Sequence, residues 1–187
     1  MVLPGHLAGG YLATKALLLL THASFTASQT TSLLIIGTLA GDLPDIDLIR
    51  FYLAGRFHSS NIRSHRTYIT HTPIFWLMIS LIIVAFGSIF QSTFVEYLGW
   101  IILVGTWSHL ILDSIEDGVM WLWPFTKRRF ALGRSSDFDP LKYGGHYRPG
   151  TFMFHFKYIT TIYMRQRVSF YIEILITLIA LYIAIFR

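Results

Sequence analysis

Imidazole and carboxylate side chains recur along this chain in or beside apolar stretches. They are His6, the run Gly41-Asp42-Leu43-Pro44-Asp45-Ile46-Asp47, His65-Arg66 followed by Thr70-His71, and His109 with Asp113. Unpaired charge in an apolar medium is costly, so groups placed this way point to a functional site. Imidazole nitrogen and carboxylate oxygen are also the ligand set of hydrolytic zinc, manganese or magnesium centres. The chain has no cysteine, which excludes thiolate metal sites and disulfides. The first expectation is therefore a membrane-embedded, metal-dependent hydrolase.

Spacing refines that expectation. His109 and Asp113 are four apart, so one helix face presents both. Asp113 could bridge two ions or orient His109 from behind, and a plain hydrogen-bonded pair is the structural alternative. Asp42, Asp45 and Asp47 repel one another unless a cation or basic groups hold them, the alternative being a solvated interfacial turn. His65 and His71 do not share a helix face and need a loop or a helix start, which Pro73 suggests. Arg66 between them suits a phosphate oxygen, or serves as an ordinary interfacial cation. His6 alone would more often be a polar residue at a helix start.

Other polar groups carry less. Lys15 either snorkels or meets a phosphate, with snorkelling favoured. His22 falls on the opposite membrane face. Glu116 and Asp117 are expected behind the ligands or in solvent, and His146 and His155 in a basic loop. Trp76, Trp121 and Trp123 read as interfacial belt or core. No His-Glu-x-x-His, Gly-x-Ser-x-Gly, phosphate-binding loop or dinucleotide fingerprint occurs, which argues against a zincin-type protease and a serine lipase.

The elements that must position these groups are mostly apolar. Hydrophobic residues make up 53% of the 187 and charged ones only 13%, unlike a soluble domain. Pro73–Phe90 has no charge, and Val168–Phe186 has only Glu173. A third span is expected over Tyr97–Leu112, continuing through Trp121–Trp123 to Pro124. Leu7–Leu20 is interrupted by Lys15. Leu33–Leu43 is too short to cross and must borrow from the polar Thr26–Ser32 stretch or continue through Leu48–Leu53. Pro44 makes an unbroken helix there unfavourable. The first twenty residues lack a basic region before the apolar stretch and read as a retained segment rather than a signal peptide.

Charge gives an orientation. The net charge is +5. Arg50, Arg56, Arg63 and Arg66 lie between spans two and three, and nine Lys or Arg from Lys127 to Arg167 lie between spans four and five. His22–Ser32 and Gln91–Glu96 have none. With five spans both basic loops share one side, expected to be cytoplasmic, and His6, Asp42–Asp47, His65, His71, His109 and Asp113 all converge there. The basic excess thus points to anionic lipid headgroups rather than direct nucleic-acid binding.

Taken in order, Pro4-Gly5-His6, Leu43-Pro44-Asp45-Ile46-Asp47, Ser64-His65-Arg66 with Thr70-His71, Ser108-His109-x-x-x-Asp113, and Gly118 with Leu122-Trp123-Pro124 resemble the YdjM family. These are bacterial and archaeal inner-membrane proteins described as LexA-binding, metal-dependent hydrolases. The resemblance covers roughly residues 1–125. The family is in turn similar to the zinc-dependent phospholipase C and P1 nuclease group, all-helical enzymes that cleave phosphate esters. That likeness implies a ligand set of His6, Asp45, His65, His109 and Asp113. The further His and Glu ligands of the soluble enzymes have no clear counterpart here, and residues 126–187 carry no matching motif.

The expectation is thus an all-α polytopic bundle of about five spans with a phospholipase C/P1 nuclease-like core. Residues 1–125 would form the hydrolase core, 126–167 a basic cytoplasmic loop and 168–187 a C-terminal transmembrane helix. One to three divalent ions, zinc foremost and manganese or magnesium otherwise, would be held by His6, Asp42, Asp45, His65, His109 and Asp113. Asp45, Asp47, Arg66 and His71 would act on a lipid or lipid-like phosphate ester from the cytoplasmic face. The alternative is a non-catalytic membrane scaffold for a regulator such as LexA. A metal-binding or transport module is a third reading, but no polar pathway to the far face is legible beyond Lys15.

Overall fold

Local signals account for where the helices begin and stop. The computed structural model describes residues 3–53, 65–133 and 168–187, with single positions at 153, 156, 157, 160, 163 and 164. Helix α1 spans Leu3–Leu20, with Pro4 in its first turn, where a missing N–H donor costs nothing. It ends before His22, whose φ of 50° lies in the left-handed region. Helix α2 spans Ala27–Ala40 and starts in a reciprocal box, in which the Thr26 side chain accepts from the Gln29 N–H and Gln29 from the Thr26 N–H. The short apolar segment therefore does borrow the polar stretch before it. Pro44 then sits inside a 3₁₀ turn, Leu43–Asp45, and a separate short helix α3 follows over Ile46–Leu53.

Two more 3₁₀ turns, His65–Thr67 and Ile69–His71, lead into α4, Pro73–Ile89, which Pro73 opens. Helices α4 and α5 (Thr93–Asp113) form a hairpin in which the Ser92 N–H donates to the Gly87 carbonyl at 2.8 Å. Helix α6 spans Val168–Phe186. Among the described residues there is no strand, only an isolated bridge between Val119 and Phe130.

Helix α1 packs against α2, α5 and α6, and α5 packs along α4 and across α2. Helices α1 and α2 approach closely at their glycines. A Cβ on Gly41 would lie 2.2 Å from the His6 carbonyl oxygen, and one on Gly10 2.4 Å from that of Gly37. The Gly37-x-x-x-Gly41 spacing thus lets two backbones touch where any larger side chain would separate them.

Beside apolar core residues such as Leu33, Ile101 and Leu110, the bundle buries an unusual number of polar groups. The interior includes His6, Thr14, His71, Thr106, His109, Asp113 and Glu173, while Leu20, Ile89 and Phe90 and much of α6 stand exposed. Leu175 and Leu178 on α6, for example, are 58% and 59% exposed. Large apolar surface of this extent, on helices around an interior that also holds charged groups, fits lipid rather than water. Two described helices, α5 and α6, are long and apolar enough to cross a membrane; α4 is apolar but shorter. At 1.5 Å per residue α5 measures about 31 Å, matching the hydrocarbon thickness.

One expected boundary is corrected. The Tyr97–Leu112 span does not run on to Pro124, because α5 stops at Asp113. The N–H groups of Asp117 and Gly118 both turn back to the Asp113 carbonyl, and Gly118 takes a φ of 84° that ends helical geometry. Arg56, Arg63, Arg134, Lys142, His146, Arg148, His155, Arg165 and Arg167 lie outside the described residues, as do the side chains of Arg50 and His65.

The glycine contact generates a stability prediction. Gly41→Ala should force α1 and α2 apart and cost about 1–3 kcal/mol, as overpacking does. Thermal unfolding in detergent measures it. Gly9→Ala, whose Cβ would have side-chain atoms of Leu112 and Ser108 as its nearest neighbours, is the control, and equal melting of the two variants would contradict the account.

Candidate metal centre

The residues that the sequence singles out for chemistry arrive from four separate elements. His6 lies in the first turn of α1, Asp45 at the end of the 3₁₀ turn that Pro44 opens, His71 just before α4, and His109 and Asp113 one turn apart at the end of α5. His6, His71, His109 and Asp113 are each at most 1% exposed.

His109 organises the cluster. Its Nδ1–H donates to the Gly41 carbonyl at 2.8 Å. That bond assigns the proton to Nδ1 and leaves Nε2 with a lone pair. Nε2 lies 3.7 Å from Asp45 Oδ1 and 3.8 Å from Asp113 Oδ2, and makes no hydrogen bond. His6 stacks on His109 with ring centroids 3.7 Å apart. Its Nε2 is 3.5 Å from Asp113 Oδ1, and neither ring nitrogen makes a hydrogen bond. Buried polar atoms are normally satisfied, so three such imidazole nitrogens in one cluster require an explanation.

A divalent cation supplies one. Two ligand atoms on a tetrahedral ion, each about 2.0–2.1 Å from it, sit about 3.3 Å apart. The observed separations of 3.5–3.8 Å are too long for hydrogen bonds and close to that edge. Three groups of potential ligand atoms lie within 4.8 Å of one another: His6 with Asp45 and His109; His71 with His109 and Asp113; and Asp45 with Asp47 and His71. The donor set is all nitrogen and oxygen, which suits zinc, manganese or magnesium. The chain therefore fits a metal on the chemistry of its buried donors.

The carboxylates are held in different ways. Burial by itself raises the pKa of Asp45, but a 3.0 Å hydrogen bond from His71 Nε2 and the nearby His109 outweigh it and hold the group well below the usual carboxylate range. Burial and the adjacent Asp45 push Asp42 up, against an opposing pull from His6. Asp42 has one buried oxygen without a hydrogen bond but joins none of the three ligand groups. Asp47 enters one of them from the first turn of α3.

Arg66 reaches the cluster from the His65–Thr67 turn. Its Nε donates to Asp113 Oδ2 at 2.7 Å, and its Nη2 lies 3.1 Å from Asp117 Oδ2. Burial would lower its pKa, but Asp113 and Asp117 more than offset this and keep the guanidinium charged. Its side chain is 18% exposed and that of Asp45 19%, so both stand at the edge of the buried histidines.

The structure adds partners that motif reasoning missed. The Gly41 carbonyl is one, and no side-chain pattern could have revealed it. Asp117 as a partner of Arg66 is another; it lies four residues beyond Asp113, a spacing that was available as a signal. His71, expected to act in catalysis, also stands in two of the ligand groups. Helix α6 braces both sides of the cluster. Glu173 accepts from the Gly5 N–H at 3.0 Å and from the Tyr163 hydroxyl, while Glu116 accepts from the Val168 N–H and the Ser169 hydroxyl.

Comparisons agree with a membrane setting. The chain matches the family described as YdjM inner membrane protein over residues 1–187. It is 33% identical over 103 residues to inner membrane protein YbcI of Escherichia coli (strain K12), an overlap of 52% of this chain and 57% of that protein. The chain thus spans little more than half the length of that relative. No solved structure matches. Since the family match runs through every helix that supplies the His/Asp cluster, the chain belongs to the YdjM family of inner membrane proteins.

Proposed function

We propose that this protein is a membrane-bound, metal-dependent hydrolase that cleaves a phosphate ester of a lipid or lipid-like substrate. The observation that carries the reading is the buried His109 Nε2, freed by the Gly41 carbonyl and aimed between two carboxylates without a hydrogen bond. His6, Asp45 and His109 would hold one ion, and His71 and Asp113 extend the donor set toward a second. A divalent metal bound there would polarise a phosphoryl oxygen and bring the pKa of a water toward neutrality.

The other residues have separable roles. Asp45, kept ionised by His71, is suited to ligation, and Asp47 beside it to accepting a proton from the attacking water. Arg66 neutralises Asp113 and Asp117 with two of its nitrogens, and its remaining N–H donors at the edge of the site suit a substrate phosphate. A cluster at one end of a bundle with an apolar exterior favours a substrate that enters sideways from the lipid. The same exterior supports α1, α2, α4, α5 and α6 as five membrane-embedded helices. Lys127, Arg128 and Arg129 follow α5 on the cluster's side, which favours a cytoplasmic site. An α1 histidine meeting a His-x-x-x-Asp pair supports the likeness to phospholipase C and P1 nuclease.

Three outcomes test this. Purified protein should carry zinc or another divalent metal at about one equivalent or more per chain, since three buried protein ligands retain an ion while leaving a position for water. His109→Ala should lose it, and wild-type protein free of metal after reconstitution would sink the proposal in favour of a scaffold.

Asp113→Asn and His109→Ala should abolish hydrolysis of a phospholipid or phosphodiester while span insertion is retained. Arg66→Ala should lose transition-state stabilisation of about 2–4 kcal/mol, read from kcat/KM. It also leaves Asp113 buried without its cation, so a stability loss of about 3–5 kcal/mol should accompany it in metal-free protein. Full turnover in Asp113→Asn would remove the assigned chemistry.

Reporters fused after Arg129 should read cytoplasmic, and reporters within His22–Ser32 should read external. The reverse result would move the substrate to the outer face.

A further inference from the structure

A second feature lies at the opposite end of the same helices. Helices α1 and α6 run in the same direction. Gly5 meets Glu173 near their starts, and Lys15 and Leu19 share a groove with Leu178, Tyr182, Ile183 and Arg187 near their ends. The groove has a volume of about 610 Å³, within the range of about 300–1,000 Å³ typical of ligand sites. Along α1, Lys15 is about 14 Å from His6, so the groove is separate from the His/Asp cluster.

Its lining combines two properties. Leu19, Leu178 and Tyr182 are exposed, at 63%, 59% and 59%, and give an apolar wall that faces lipid. Lys15 and Arg187 are cations with no carboxylate partner among the described residues. Lys15 lies inside an 18-residue helix, well before its end at Leu20. A cation at that depth needs counter-charge or a route to the interface. The charge-free α4 indicates how rarely this bundle puts a cation on its outer face. Two of them at one groove, with a tyrosine ring at the boundary, match a molecule with an anionic head and an apolar tail.

We propose that this groove binds one anionic phospholipid, with its phosphate between Lys15 and Arg187 and an acyl chain along Leu178 and Ile183. It stands on the inner-membrane setting and is independent of the hydrolase reading. Tyr182 packs at the glycerol level, between the charged and apolar parts. The site occupies the leaflet opposite the His/Asp cluster.

Native mass spectrometry on the full chain, released from nanodiscs of phosphatidylglycerol mixed equally with phosphatidylcholine of the same chains, tests this. Wild type should keep one phosphatidylglycerol, and Lys15→Gln and Arg187→Gln should each reduce its preference about fivefold, as expected for loss of one cation near a headgroup. Leu178→Trp, which leaves both charges and obstructs the apolar wall, should also lower the bound lipid. The metal content and hydrolysis of these variants are separate readouts and should follow wild type. Equal retention of both lipids, or an undiminished preference in the double Gln variant, would overturn the proposal. Displacement by millimolar inorganic phosphate alone would overturn it in favour of a free-anion site. Efficient cross-linking between two copies through Leu178→Cys would do so in favour of a dimer contact.

Discussion

The bond from His109 Nδ1 to the Gly41 carbonyl is the constraint on which the rest depends. It joins the end of α5 to the end of α2, and it decides which imidazole nitrogen is left as a ligand. The carbonyl can be there only because Gly41 lets α2 touch the backbone of α1 at His6. One contact between main chains therefore sets the relative position of two histidines that lie 103 positions apart, and it stacks their rings at 3.7 Å. A side chain at residue 41 would disturb the tautomer, the stack and the helix packing together.

Around that contact the interior is electrostatically uneven. Asp45 and Asp113 flank His109 Nε2, and the only described cation in contact with them is Arg66. Arg66 pairs on the outer side, toward Asp113 and Asp117, and His71 supports Asp45 from the other. The inward-facing nitrogens of His6 and His109 are left without donors to accept from. The unpartnered imidazole nitrogens, not the carboxylates, separate the cluster from an ordinary buried ion-pair network, in which every buried polar atom would be satisfied.

Much of the frame was legible in the sequence, for identifiable physical reasons. Pro44 and Pro73 mark breaks because proline removes a donor, and the chain turns at both. The polar Thr26–Ser32 stretch was legible as residues that α2 could borrow, whereas the capping exchange between Thr26 and Gln29 that starts it emerged only in the structure. The cost of ionisable groups in apolar stretches identified His6, Asp45, His71, His109 and Asp113, and these do meet. The end of α5 was not legible, because the apolar Trp121–Trp123 run resembles a continuation and the decisive event is the backbone angle at Gly118. The Gly41 carbonyl was invisible because every residue has one. The pairing of Arg66 with Asp113 depends on a contact across 47 positions that no local pattern encodes.

The buried carboxylate of Glu173 has a consequence for how the protein is made. Gly5 and Glu173 are separated by 168 positions, so a ribosome produces the acceptor long after the donor. Until α6 arrives, the N–H of Gly5 and the neighbouring turn that carries His6 lack this partner. Glu173, for its part, enters an apolar helix whose insertion becomes easier once α1 can receive it. The two needs are met together when α6 packs against α1. Assembly in the bilayer is thereby ordered, with the region around His6 taking its final form only after translation has passed the basic segment and delivered α6.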